Sequence, residues 1–127
     1  MPSRSASLAA LGGLAGLAFT VGATAQDADP VARGAQVYAT TCAVCHGPQL
    51  GGAGPALPLA GPAFLARWEG LSAADLHKRI SGTMPPKPAP SLSPDDYRAV
   101  TAYLLSQNGV RIEAGKRLED QPIEPVP

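Results

Sequence analysis

Both cysteines of the chain and one of its two histidines stand together in the sequence Cys42-Ala43-Val44-Cys45-His46. This spacing is the attachment pattern of a c-type haem, because two thiols three positions apart can reach the two vinyl-derived carbons on one edge of a porphyrin. The histidine that follows is held under the iron, where its imidazole can serve as an axial ligand. The motif therefore predicts covalent haem on Cys42 and Cys45, with His46 on the metal.

The same cysteines allow two other kinds of site. In an oxidising compartment, a disulfide between Cys42 and Cys45 would close a tight ring of the redox type. A structural zinc ion needs four ligands, and only His46 and His77 remain to complete such a set. Neither site explains a histidine directly after the second cysteine, so haem attachment is the favoured interpretation.

Met84 is predicted to be the second axial ligand. It is the only methionine left once Met1 is removed with an export signal. A methionine usually fills a core, but this one lies in a proline-rich loop and not on a helix face. Its thioether suits haem iron and raises the reduction potential relative to two histidines. The rival ligand, His77, is expected to be a solvated surface side chain.

Other side chains are candidates for the surroundings of the haem. The indole N–H of Trp68 could donate to a haem propionate, or the ring could be core only. A basic rim at the haem edge is a further hypothesis, although scattered solvated charges explain the same residues: Arg67, Lys78, Arg79 and Lys87.

The first 25 residues predict a secretory signal peptide. Arg4 supplies a positive start, Leu8 to Phe19 an apolar stretch, and Ala23-Thr24-Ala25 the small residues before a cleavage point. We expect cleavage after Ala25 and a periplasmic protein, with an uncleaved membrane anchor as the alternative. Residues 26–109 then form the haem-binding domain, and residues 110–127 a charged, proline-rich tail that is expected to lie extended over the surface or to be partly disordered.

The elements that must position these groups are predicted to be helices. N-caps followed by proline stand at Asp29-Pro30 and Ser93-Pro94, and Ser72 with Asp75 forms a near capping box. Breaker-rich loops occupy 47–61 and 83–90. The predicted helices run from Pro30 into Cys42, over a short turn at 64–68, from Ala73 to Ile80 with Gly82 ending it, and from Pro94 to Asn108-Gly109.

Composition limits the classes of function. The 127 residues carry 10 basic and 10 acidic side chains, so nothing favours binding of nucleic acid or coating of an anionic membrane. Aromatic residues make up only 5%, and such a short chain builds a thin core unaided. A buried haem would supply the missing apolar mass.

Several stretches resemble small bacterial class I c-type cytochromes with one haem. They are Gly34-x-x-x-Tyr38, Cys42-Ala-Val-Cys45-His46-Gly47, Gly54-Pro55, Gly82-Thr-Met84-Pro85 and the helix Tyr97 to Gln107. The resemblance implies an all-α cytochrome c fold, with three to four short helices and long Gly/Pro-rich loops around one haem c. It also implies that Gly34 packs against Val100 or Tyr103, that the carbonyl of Pro55 accepts from His46, and, loosely, that Trp68 binds a propionate.

The expected function is electron transfer, not catalysis, since protein ligands on both axial positions leave no substrate site on the iron. Partners would be a dehydrogenase donor and an oxidase or other cytochrome acceptor, meeting the haem edge in small, transient contacts. One alternative is a subunit or dedicated acceptor of a periplasmic, quinoprotein-type dehydrogenase, with the tail as a docking arm. The other is a ligand-binding haem sensor or enzyme in which Met84 dissociates.

Overall fold

The computed structural model describes residues 29–86, 91–113 and 116–124. Within them the chain is helical, and the only β pairings are isolated bridges between Ala53 and Ala56 and between Ser72 and Pro122. The predicted signal peptide and Lys87 lie outside these residues. The elements are α1 (Pro30–Val37), a π-helical turn (Tyr38–Cys42), α2 (Ala43–His46), α3 (Pro62–Trp68), α4 (Ala73–Thr83), α5 (Pro94–Gln107) and a 3₁₀ turn (Leu118–Asp120). The all-α prediction is confirmed.

Short polar side chains begin three of the helices, as predicted. Asp29 Oδ1 accepts from the backbone N–H of Val31 at 3.0 Å, and Ser93 Oγ accepts from that of Asp96 at 3.1 Å. Ser72 and Asp75 form a reciprocal capping box, with each side chain accepting from the other's backbone N–H. Each bond satisfies a backbone donor that has no partner inside the helix.

The predicted end of α4 is wrong. The helix continues past Ile80 and through Gly82 to Thr83. A glycine ends a helix when it takes the left-handed conformation, and Gly82 keeps helical backbone geometry instead. The extra turn brings the end of the helix directly to Met84.

Helices α1 and α5 cross at a glycine. A Cβ added to Gly34 would lie 2.0 Å from the carbonyl oxygen of Ala99 and 2.7 Å from the Cβ of Tyr103. Packing against Tyr103 is therefore confirmed, and the backbone of Ala99 lies closer still. Beside the crossing, the Arg33 guanidinium bonds Asp96 Oδ1 at 2.7 Å.

Gly34→Ala should destabilise the protein by about 3 kcal/mol or more, because the added methyl group meets a backbone carbonyl that cannot move aside. Gly82→Ala is the matched control, since a Cβ there meets nothing within 4 Å and alanine favours a helix by about 0.5–1 kcal/mol over glycine. Urea unfolding of the holoprotein measures both. Equal stability of the Gly34→Ala variant and the wild type would contradict the close crossing.

The buried apolar residues form two clusters. The motif-side cluster comprises Val37, Tyr38, Leu50, Val100 and Leu104. The tail-side cluster comprises Phe64, Ala73, Leu76, Leu105, Val110 and Ile123. The second cluster contains two residues of the segment after α5, so that segment contributes to the core.

The prediction that residues 110–127 lie over the surface is wrong for part of this segment. Ile123 is fully buried, and Val110 and Gln121 are nearly so. This burial could not be predicted from the sequence. Single apolar residues between charges and prolines follow neither a helical nor a strand period. In the part of the chain that the structure describes, no helix combines the length and the apolar character needed to cross a membrane.

Candidate functional site

A large cavity lies between the two clusters. Phe64 and Leu76 of the tail-side cluster and Val100 and Leu104 of the motif-side cluster form part of its wall. Its volume is about 1050 Å³, just above the range of about 300–1,000 Å³ found for small-molecule sites. An opening of this size with a largely apolar wall suits a flat, apolar macrocycle such as a porphyrin.

The four residues predicted to hold the haem line this one cavity: Cys42, Cys45, His46 and Met84. The helical run that delivers the first three changes to π-helical geometry over Tyr38–Cys42 and returns to α over Ala43–His46. Such local widening of a helix is common at functional sites. The motif therefore faces the space that a haem would need, with its two thiols and its imidazole on one wall.

The two alternative sites at these thiols are absent from the described residues. Cys42 and Cys45 are both free, and burial, followed by the charge of Cys45, raises the pKa of the Cys42 thiol. Among the described residues, no group of three or more His, Cys, Asp or Glu side chains could hold a metal ion. Neither the disulfide nor the zinc interpretation gains support.

His46 is oriented by a backbone carbonyl. Its Nδ1 lies 2.8 Å from the carbonyl oxygen of Leu57, and since a carbonyl only accepts, Nδ1 carries the proton. Nε2 is then left with a lone pair for a metal, the usual arrangement of a ligating histidine. The loop was correctly predicted as the source of the acceptor, but the choice of Pro55 is wrong. Pro55 lies in a tight turn closed by Ala53 and Ala56 and only lines the cavity.

A buried tyrosine, Tyr38, is hydrogen-bonded to the residue that follows the motif. Tyr38 is 2% exposed, its hydroxyl donates to the carbonyl of Gly47 at 2.6 Å, and its ring packs on Tyr103 at 5.5 Å between centroids. Burial, followed by the charges of Cys42 and Tyr103, raises its pKa to about 12. The sequence indicated Tyr38 only as an apolar helix-face residue, because nothing local shows where its hydroxyl goes.

Tyr38→Phe should destabilise the protein by about 0.5–1.5 kcal/mol, since the variant loses this bond while the carbonyl of Gly47 still accepts from the N–H of Leu50 at 3.3 Å. A raised tyrosine pKa stabilises the fold below its unfolded value of about 10, and this contribution is lost as pH rises toward about 12. Urea unfolding measured from neutral to alkaline pH should show the loss in the wild type and less of it in the variant. Tyr103→Phe is the control. A Tyr38→Phe protein as stable as the wild type would refute the role of the bond.

Both backbone polar groups of Met84 are hydrogen-bonded. Its N–H donates to the carbonyl of Ile80 at 2.8 Å and continues the hydrogen bonding of α4. Its carbonyl accepts from the hydroxyl of Tyr97 on α5 at 2.8 Å. The sequence assigned Tyr97 to an apolar face and missed this contact, which depends on the packing of α5 beside the loop. Met84 borders the cavity, and its ligation of the iron stays a prediction.

Trp68 both packs in the core and lines the cavity. Its ring lies 6.4 Å from that of Phe64, it packs against the tail-side cluster, and it borders the cavity. Arg67 and Arg79 also line the cavity, whereas Lys78 is absent from its wall. Two members of the hypothetical basic rim therefore lie where carboxylates of a bound group could meet them.

His77 is not placed as expected. It is half-buried, and its Nδ1 lies 3.4 Å from Thr101 Oγ1 on α5. It is absent from the residues that border the cavity. The structure therefore directs His77 toward α5, and not toward the site or freely into solvent.

Apolar side chains are exposed around the cavity. Val44, Leu57 and Leu71 are 84%, 48% and 44% exposed, and all three border it. Val44 stands between the two cysteines of the motif. These residues provide an apolar rim that a partner protein could contact.

The chain matches known proteins over the part that builds this site. A family model described as cytochrome c oxidase, cbb3-type, subunit III matches residues 29–104. Among solved structures, a chain of the sulfane dehydrogenase SoxCD from Paracoccus pantotrophus is similar, with a TM-score of 0.57 and 30% identity. The alignment covers 65% of this chain and 45% of that one, so this chain spans less than half of its structural relative. No curated protein matches it.

Proposed function

Because the chain belongs to the c-type cytochrome family represented by the cbb3-type subunit III model, we propose that it is a periplasmic electron carrier with His46 and Met84 as axial ligands. Covalent haem c and electron transfer follow from the family and from the structural similarity. The observation that carries the finer proposal is that both cysteines, His46 and Met84 border one cavity.

Bound haem would supply an iron that cycles between ferrous and ferric states. The chain's own residues do the rest. Cys42 and Cys45 would hold the macrocycle, and the carbonyl of Leu57 keeps the proton of His46 on Nδ1. The hydroxyl of Tyr97 fixes the backbone of Met84.

An electron carrier fits this arrangement better than an enzyme. Two protein ligands would leave no open position on the iron, and an apolar rim is suited to a short-lived contact with a redox protein. Such contacts bury little area. With a formal net charge of zero, we expect association with a dehydrogenase donor or an oxidase or cytochrome acceptor to depend only weakly on salt.

A potentiometric titration combined with carbon monoxide binding tests this proposal. The wild-type holoprotein should titrate as one one-electron centre and show the far-red charge-transfer band of methionine on ferric haem. The ferrous protein should bind carbon monoxide slowly. Rapid binding, with no such band in the ferric protein, would instead favour a ligand-binding sensor or enzyme.

The export part of the proposal rests on residues 1–25 alone. Fractionation of the source cells should place the haem protein in the periplasm, and the mass of the mature chain should correspond to a start at Gln26. A chain that retains residues 1–25 in the membrane fraction would support the anchor alternative.

A second candidate function is a subunit or dedicated acceptor of a periplasmic dehydrogenase, and the similarity to a SoxCD chain favours it. It predicts that dehydrogenase activity co-purifies with the haem protein. Deleting residues 110–127 is a poor test, since the deletion removes Val110 and Ile123 from the core. Substituting the exposed Arg111 and Glu124 by alanine tests a docking arm and leaves the core intact. Co-purification that survives these changes would contradict docking through these two side chains.

A further inference from the structure

The C-terminal segment 116–124, called the strap here, is joined to the chain just before α4. The N–H of Ala73 donates to the carbonyl of Gln121 at 2.8 Å, and the N–H of Ile123 donates to that of Leu71 at 2.8 Å. Gly70 N–H donates to the carbonyl of Ile123 at 3.2 Å. These three backbone hydrogen bonds fix the strap to the connection between α3 and α4. One of them involves Ala73, which is the first residue of α4.

Ile123 of the strap packs behind the cavity wall. It is fully buried and belongs to the same cluster as Phe64 and Leu76, which both border the cavity. Because protein interiors are close-packed, shortening Ile123 loosens the cluster to which both wall residues belong. The strap therefore supports the haem-facing side of α3 and α4 without bordering the cavity itself.

Helix α4 connects the strap to Met84. Its first residue bonds the strap, and Met84 directly follows its last residue, Thr83. An α-helix of this length is stiff, since beyond its first turn each backbone N–H donates to a carbonyl one turn earlier in the same helix. A tilt at its N-terminus therefore moves its C-terminus as well. A second link joins the strap to α5, where Arg98 Nε donates to Glu119 Oε1 at 3.2 Å. Arg98 follows Tyr97, whose hydroxyl holds Met84.

We propose that the strap is a positioning element for the axial methionine. It holds α4 against α5 so that the Met84 thioether stays on the iron and external ligands are kept off it. This inference rests on the proposed ligation by Met84. Loosening the strap raises the fraction of molecules with an open iron, and the apparent affinity for an external ligand rises in proportion to that fraction.

Imidazole binding to the ferric holoprotein tests the proposal, because imidazole must displace Met84. Ile123→Ala should bind imidazole about 10-fold more tightly than the wild type and lose its far-red charge-transfer band at a lower temperature. Ile123→Val should tighten imidazole binding by about 2–3-fold and lower the temperature of band loss by less than the alanine variant does. It keeps the test decisive if the alanine variant does not fold. Glu124→Gln, at the exposed neighbouring position of the strap, should leave both unchanged.

Val37→Ala distinguishes a general loss of stability from a specific effect on Met84, because it removes packing from the motif-side cluster. It should lower the urea midpoint without changing the affinity for imidazole. If Ile123→Ala and Ile123→Val lower the midpoint and leave imidazole binding at the wild-type value, the strap only stabilises the fold and the proposal is wrong. A wild-type protein without the charge-transfer band overturns the Met84 ligation itself, and the positioning role with it.

Discussion

Met84→Ala should abolish the far-red charge-transfer band and lower the reduction potential by an amount on the order of 0.1–0.3 V, within the roughly 0.8 V that axial ligands span. The physical reason is the softness of the thioether, which stabilises ferrous iron relative to ligands that are harder or to water. The vacated position should also admit carbon monoxide rapidly in the ferrous protein. Absorption spectra and a potentiometric titration measure these three effects.

Leu92→Ala is the matched control for this substitution. Leu92 borders the same cavity and packs against the motif-side cluster, but it has no atom that could ligate iron. Its removal should leave the band in place and shift the potential much less. If the band survives in Met84→Ala, the distal ligand is another residue and the proposed ligation is wrong.

Much of the site could be predicted from the sequence because its chemistry is local. The cysteine and histidine spacing is contained in five consecutive residues, and Met84, the only methionine apart from Met1, stands in a breaker-rich loop. Helix starts were equally accessible, since an N-cap such as Ser93 and the donor it satisfies lie three residues apart. For these features, a short stretch of chain contains both partners of the interaction.

What could not be predicted depends on packing between distant segments. The acceptor for His46 is the carbonyl of Leu57, since the turn at Ala53–Ala56 sets which residue of the loop faces the ring. The hydroxyl of Tyr97 reaches Met84 only because α5 packs beside the loop. Ile123 lies in the core through backbone pairing with residues 70–73. No periodicity in the sequence contains that information.

Removing both thiols should have the second large effect. In Cys42→Ala/Cys45→Ala protein, any haem that binds is held without a covalent bond, so acidified organic solvent should extract it. The pyridine-treated protein should then show the spectrum of unmodified haem in place of the c-type spectrum. Val44→Ala is the control, since Val44 lies between the cysteines and is 84% exposed; it should retain all its haem. Haem that resists extraction from the double variant would refute attachment at this motif.

The double variant should also unfold when its haem is extracted, because the cavity cannot persist empty. At about 24 cal/mol per Å³, an empty cavity of 1050 Å³ would cost about 25 kcal/mol, an upper bound because this one is open to water. Half of that cost is already comparable to the net stability of a small domain, about 5–15 kcal/mol. Both core clusters supply walls of the cavity, so both lose packing together. Far-ultraviolet circular dichroism should show most of the helical signal lost after extraction and regained on adding haem, whereas an apoprotein that kept its helices and unfolded cooperatively would show that the clusters pack without the haem.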